Sequence, residues 1–132
     1  MNPPPTDWML FWQDSEVAHV LTTSKGALTI TFSAASVQPR NRTPGYMRGV
    51  VLICQVIPGQ ALASRSDWVG GIRHGQVLTP SGKQASMPLP GHIKGPLHLS
   101  FTLMNGTEIN IDAKELTAIL PDNPEWTESL AC

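Results

Sequence analysis

Residues 96–113, Pro-Leu-His-Leu-Ser-Phe-Thr-Leu-Met-Asn-Gly-Thr-Glu-Ile-Asn-Ile-Asp-Ala, constrain the fold more than any other stretch of the chain. Two runs alternate apolar and polar side chains, and Asn105-Gly106 sits between them. A period of two marks a strand with one wet face, and Asn-Gly is a favoured turn between two such strands. Burial then selects the register. A two-residue turn at Asn105-Gly106 would set Leu103 against Glu108 and Phe101 against Asn110. Directly opposed residues share a face of the sheet, so each face would mix apolar and charged groups. A three-residue loop, Met104-Asn105-Gly106, instead opposes Phe101 to Ile109, Leu99 to Ile111 and Leu97 to Ala113. Thr102, Ser100 and His98 then meet Glu108, Asn110 and Asp112 on the other face. This register avoids burying unpaired carboxylates, and Gly106 supplies the left-handed backbone of the turn.

The remainder of the chain reads in the same way. Leu28, Ile30 and Phe32 alternate with threonines after the turn residues Ser24-Lys25-Gly26, and residues 17–23 pair with them as a first hairpin. Residues 47–57 are apolar at both parities. Val50, Leu52, Cys54 and Val56 fall on one face, and Val51, Ile53 and Ile57 on the other, which predicts a strand buried on both faces or nearly so. Pro58-Gly59 stops it. Residues 37–45 hold Pro39, Arg40, Asn41, Arg42, Pro44 and Gly45 and read as an exposed loop. Met87-Pro88-Leu89-Pro90 fits only an edge strand or a loop, because two prolines remove ladder donors. Trp8, Phe11 and Trp12 fit either a short helical turn or a strand, and Ser66 could cap a brief helix before Gly70-Gly71.

With 132 residues, of which 41% are hydrophobic and 23 are Gly or Pro, the chain predicts one all-β domain over residues 1–132. The expected architecture is a sandwich or partly open barrel of about six to eight strands, with one or two short helical turns. Residues 1–7 read as a proline-rich arm and residues 121–132 as a polar tail.

Charged residues are only 14% of the chain and the net charge is −1. Lysines and arginines are scattered, so nucleic-acid binding is not expected. No apolar run is long enough for a transmembrane helix, so no membrane partner is expected. The N-terminal residues lack a signal-peptide pattern, and Cys54 in an apolar run reads as a core thiol, so the expected compartment is the cytoplasm. The low charge favours a protein partner or self-association.

Four histidines, His19, His74, His92 and His98, show no ligand spacing with one another or with cysteine, so no metal or cofactor is expected. His98 opposite Asp112 is the one acid–base pair the register yields. An exposed cross-strand pair explains it as well as catalysis does. Nucleophile-elbow and phosphate-loop motifs are absent. The glycine-rich run Gly70-Gly71-Ile72-Arg73-His74-Gly75 reads as a turn. Arg65, Asp67 and Trp68 would suit an interface if exposed, since Arg and Trp anchor interfaces. Trp8, Phe11, Trp12 and Trp126 either cap an open end of the sheet or mark a binding patch, with capping preferred.

The run Phe11-Trp12-Gln13-Asp14-Ser15-Glu16-Val17, followed by a hairpin, resembles the opening of certain small β-rich bacterial proteins. That opening follows an aromatic-His-Asp-Ser-x-Leu pattern. Several of these proteins are immunity proteins of toxin systems. Trp12, Asp14 and Ser15 match the pattern, while Gln13 stands in place of His and Val17 in place of Leu. The resemblance implies an accessory or immunity-like role in a bacterial cell. Without the histidine it implies no catalytic or metal site, and Asp14 and Ser15 can serve to shape the chain by local hydrogen bonds. The expectation is therefore a non-enzymatic protein-binding module, with Trp12, Asp14, Arg65, Asp67 and Trp68 as contact residues. The alternative is a small-ligand-binding barrel or an enzyme whose site is assembled from distant residues. An exposed Trp12 or Trp68 would favour the first; a deep polar pocket uniting His98, Asp112 and another histidine would favour the second.

Overall fold

The computed structural model describes residues 8–23, 26–40, 42–58 and 68–128. They form ten strands and, among the described residues, no helix. In chain order these are β1 (Trp8–Thr22), β2 (Ala27–Pro39), β3 (Gly45–Met47), β4 (Val51–Val56) and β5 (Gly70–Thr79). β6 (Gly82–Gln84), β7 (Ser86–Leu89), β8 (Gly91–Leu103), β9 (Glu108–Ile119) and β10 (Trp126–Glu128) follow.

Six strands close an antiparallel barrel in the order β1-β2-β4-β9-β8-β5. The seam returns to β1 where Glu16 lies opposite Gly71 and Val17 opposite Gly70. Closure removes the unpaired edges that an open sheet of amphipathic strands would leave. β1 and β2 are longer than the barrel needs. The first half of β1 and the last half of β2 project as a flange, carrying β7 on one side and β3 then β10 on the other. Pro88 lies in β7, which ends the strand order, as a proline-bearing strand must.

The C-terminal hairpin has the register that burial predicts. Phe101 opposes Ile109, Leu99 opposes Ile111, and His98 opposes Asp112. Leu103 N–H donates to Thr107 O at 2.8 Å, Gly106 N–H donates to Leu103 O at 2.9 Å, and Gly106 has φ 89°. The loop is therefore Met104-Asn105-Gly106, and Asn105 Oδ1 tightens it by accepting from Thr107 N–H at 2.8 Å.

The barrel interior is filled. Leu28, Ile30, Leu52, Ile72, Leu99 and Phe101 are all fully buried there. The Trp12 ring meets the Phe101 ring at 5.5 Å between centroids, tilted by 39°. Gly75 faces this pair. A Cβ at that position would lie 2.5 Å from Trp12 Cβ and 3.0 Å from Phe101 Cδ1, so the aromatic pair requires glycine there.

Several expectations are corrected. The barrel is closed, and four accessory strands raise the count beyond six to eight. Trp8, Phe11 and Trp12 lie in a strand, because β1 is hydrogen-bonded on both sides there, to β2 and β7. Gly70-Gly71 open strand β5 and do not form a turn, and the strand pattern of residues 72–78 belongs to the same strand; Gly71 and Gly75 make room for Met104 and Trp12. The apolar run at 47–57 is broken at Gly49, φ 83°, into β3 and β4. The expected loop at 37–45 is shorter, since Val37 is buried in β2 and Gly45 begins β3. Within the tail, residues 126–128 pair with β3. The arm at 1–7, Cys132 and the cap at Ser66 lie outside the described residues.

Candidate functional site

β1 changes role at residues 12–15. Phe11 pairs with Ser36, and the next pairing is Glu16 with Ala34, so four residues on β1 oppose one on β2. This bulge marks the passage from flange to barrel. Trp12 turns inward and is anchored by its indole N–H, which donates to Gln84 O at 3.0 Å. Ser15 is fully buried. Its hydroxyl donates to Phe11 O at 2.6 Å and accepts from Ser36 N–H at 2.8 Å. A side-chain oxygen thus relays the ladder bond that the bulge interrupts. Ser15 makes the local hydrogen bond expected of it, but within β1 at the bulge rather than at a turn into the first strand.

Between these two anchors, Asp14 is exposed and has φ 73°, in the left-handed region that Asp tolerates better than most residues. Its side chain lines a cleft of about 310 Å³ with Ser36, Thr43, Pro44, Gly45 and Tyr46. The cleft lies where the β2–β3 connection passes the bulge. Its lining offers one carboxylate, two hydroxyls and a phenol. Thr43 and Tyr46 could not be read from the sequence as neighbours of Asp14, because β3 joins β2 through pairs some ten residues apart.

The other expected contact residues divide. Trp12 and Trp68 are buried, so neither ring faces solvent. Both belong to the hydrophobic core. Arg65 and Asp67 lie outside the described residues. His98 Nδ1 donates to Asp112 Oδ1 at 2.7 Å, and His98 Nε2 lies 3.2 Å from Asn110 Oδ1. Both ring nitrogens are engaged on the outer wall of β8 and β9, with the pair well exposed. An exposed cross-strand pair of this kind contributes ~0.2–1 kcal/mol. A second pair, His92 Nε2 to Glu115 Oε2 at 3.0 Å, lies on the same two strands. His92 and Lys94 also border a shallow cleft of about 630 Å³ with Thr79, Ser81 and Gln84. No group of three metal-ligating side chains occurs among the described residues.

A different part of the outer wall carries no Asp, Glu, Lys or Arg in two adjacent rows. Cross-strand pairing aligns Leu21, Thr29, Ile53 and Thr117 in one row and His19, Thr31, Val51 and Ile119 in the next. The rows span β1, β2, β4 and β9. Leu21 is 58% exposed and Ile119 40%, while Val51 and Ile53 are half-buried. This corrects the reading of β4 as buried on both faces. Leu52 and Cys54 are fully buried in the barrel, but Val51 and Ile53 look outward and are only half-buried by the described residues. The apolar pattern at both parities was the sequence signal for this wall.

No family model, curated protein or solved structure matches the chain.

Proposed function

We propose that this chain is a non-enzymatic protein-binding module that works through the outside of its barrel. The observation that carries the reading is β4, a strand apolar on both faces, of which the described residues bury one fully and the other only in part. A wall of β-branched, leucine and threonine side chains, with His19 at its β1 end, can be desolvated by a partner without burying a carboxylate, lysine or arginine. A lumen ligand has no space in a barrel filled by Trp12, Phe32 and Phe101, which weighs against the small-ligand alternative. His98 and Asp112 form an exposed pair rather than a deep pocket, which weighs against the enzyme alternative.

Strand spacing and rise give the two rows roughly 300 Å², well under the roughly 800 Å² per side of a standard interface. The partner must therefore also reach the polar rim, which includes Glu16 and Gln55. The outward-facing Arg73, Glu108 and Asp112 weigh against a lipid-facing barrel wall, on which an arginine costs about 2–4 kcal/mol at mid-bilayer and a carboxylate less, and the cytoplasmic setting is part of the proposal. No described helix is long and apolar enough to cross a membrane. The accessory or immunity-like role in a bacterial cell rests on the resemblance at Trp12, Asp14 and Ser15.

The test is site-specific photo-crosslinking in the native host. A photoreactive residue at Ile119 should capture one defined protein, and the same residue at Glu108, on the charged wall, should not. Equal capture at both sites, or none at Ile119, overturns the proposal.

A further inference from the structure

The cleft beside Asp14 has a specific chemistry, and we propose that it receives an arginine side chain carried by a polypeptide. The inference deepens the protein-binding reading and rests on it for the source of that arginine. The Asp14 carboxylate makes no hydrogen bond or ion pair in the described structure, although hydrogen-bonding residues stand on both sides of it. The backbone around it is fixed. Trp12 is held by Gln84 O and Ala85 O, and Ser15 by Phe11 O and Ser36 N–H. A carboxylate on so rigid a support loses little freedom when it binds a cation.

Arginine suits the lining better than lysine. A guanidinium is planar, pairs with a carboxylate through two parallel N–H donors, and stacks on aromatic faces. The cleft supplies the carboxylate of Asp14, the ring of Tyr46 and the hydroxyl acceptors of Ser36 and Thr43. Lysine would use the charge but leave the planar surface unmatched. At about 310 Å³ the cleft is at the lower end of the roughly 300–1,000 Å³ range of ligand pockets, the scale of a side chain rather than a cofactor. Arg42 lies two residues before Pro44 in the chain, yet it makes no ion pair with Asp14.

The left-handed φ of Asp14 has a second explanation, that aspartate is there only because it tolerates the bulge. Asp14→Asn separates the two, since asparagine tolerates the same backbone and lacks the charge. The probe is N-acetyl-arginine methylamide, titrated into the isotope-labelled full chain and followed by amide NMR. Its citrulline counterpart, neutral and nearly isosteric, is the control, and N-acetyl-lysine methylamide tests the preference for a plane. Saturable shifts centred on Asp14, Ser36 and Tyr46 are expected with the arginine probe. The citrulline probe should bind about tenfold more weakly or not at all, and so should the arginine probe with Asp14→Asn. Lysine should fall between. Absence of saturable shifts in the cleft, or equal binding to Asp14→Asn while its spectrum stays native, overturns the proposal. Tighter binding of the lysine probe overturns the choice of arginine. Because this titration uses no partner protein, its failure is distinct from failure of crosslinking at Ile119.

Discussion

Ser15→Ala removes one oxygen atom from the most unusual junction in the fold. The hydroxyl bridges the Phe11 carbonyl and the Ser36 amide across a bulge that holds them apart. Without it, both backbone groups lose that partner. A buried polar group left unsatisfied costs ~1–3 kcal/mol. Ser15 is fully buried, but Phe11 and Ser36 are half-buried, so water can relieve part of the loss. The expected destabilisation is therefore about 2–3 kcal/mol, from the lower half of the summed range. For a chain of this size that lowers Tm by on the order of 10 °C. A urea melt gives the free energy, and native-state hydrogen exchange gives the location. The Ser36 amide should lose protection first, ahead of the amides of β8 and β9. A loss below about 0.5 kcal/mol with Ser36 still protected would refute the relay, and with it the account of how Asp14 is held.

Other perturbations have equally definite outcomes. Phe101→Ala should cost ~3–5 kcal/mol in a denaturant melt, and Thr102→Ala, on the outer wall, less than about 0.5 kcal/mol; the reverse order would invert the face assignment of β8. Gly75→Ala should cost at least about 3 kcal/mol, the upper end for overpacking, because its Cβ would collide with the main-chain-proximal Cβ of Trp12; near-wild-type stability would mean that the Trp12–Phe101 contact is looser than described. Gly106→Val should destabilise more than Asn105→Ser, since Gly106 has φ 89° while serine can still cap the loop; equal melts would sink the turn assignment. Burial pushes the Cys54 thiol from 9.0 up to about 12. The folded state then keeps a proton that the unfolded chain releases, so stability is complete below pH 9 and falls as pH rises toward 12. The slope is up to ~1.4 kcal/mol per pH unit. Cys54→Ala should flatten this decline, and parallel alkaline profiles for the two proteins would contradict the burial.

Strand alternation made much of the barrel legible. Leu28, Ile30, Phe32, Leu99, Phe101, Ile109 and Ile111 all face the core as their spacing predicts. Closure was not legible, because the seam is only two residue pairs and one of its strands begins with two glycines, a composition that suggests a turn. The flange was missed for a related reason. Its strands are short, and β10 is held by pairing with β3 rather than by any hydrophobic period of its own. At the candidate site, Asp14 and Ser15 could be singled out, but their division of labour could not. The same two-residue motif places one side chain in the core and the other in a cleft, and only the bulge decides which. The outer wall was half legible. Val51 and Ile53 declared an apolar second face, but sequence patterning alone cannot distinguish a face covered by its own chain from one awaiting another.

The claim that the wall spanning β1, β2, β4 and β9 is the working surface can be measured directly once crosslinking at Ile119 has identified a partner. Isothermal titration of that purified partner should compare the wild-type chain with Ile119→Glu and with Asp112→Lys, each checked for an unchanged melt. The account predicts that Ile119→Glu weakens Kd by about tenfold or more, because a carboxylate would be desolvated without a counter-charge. It predicts that Asp112→Lys, seven residues before Ile119 on β9 and paired with His98, leaves Kd within about twofold of wild type. A wild-type Kd for Ile119→Glu, with loss of binding by Asp112→Lys, would place the working surface at the His98–Asp112 pair and contradict the account.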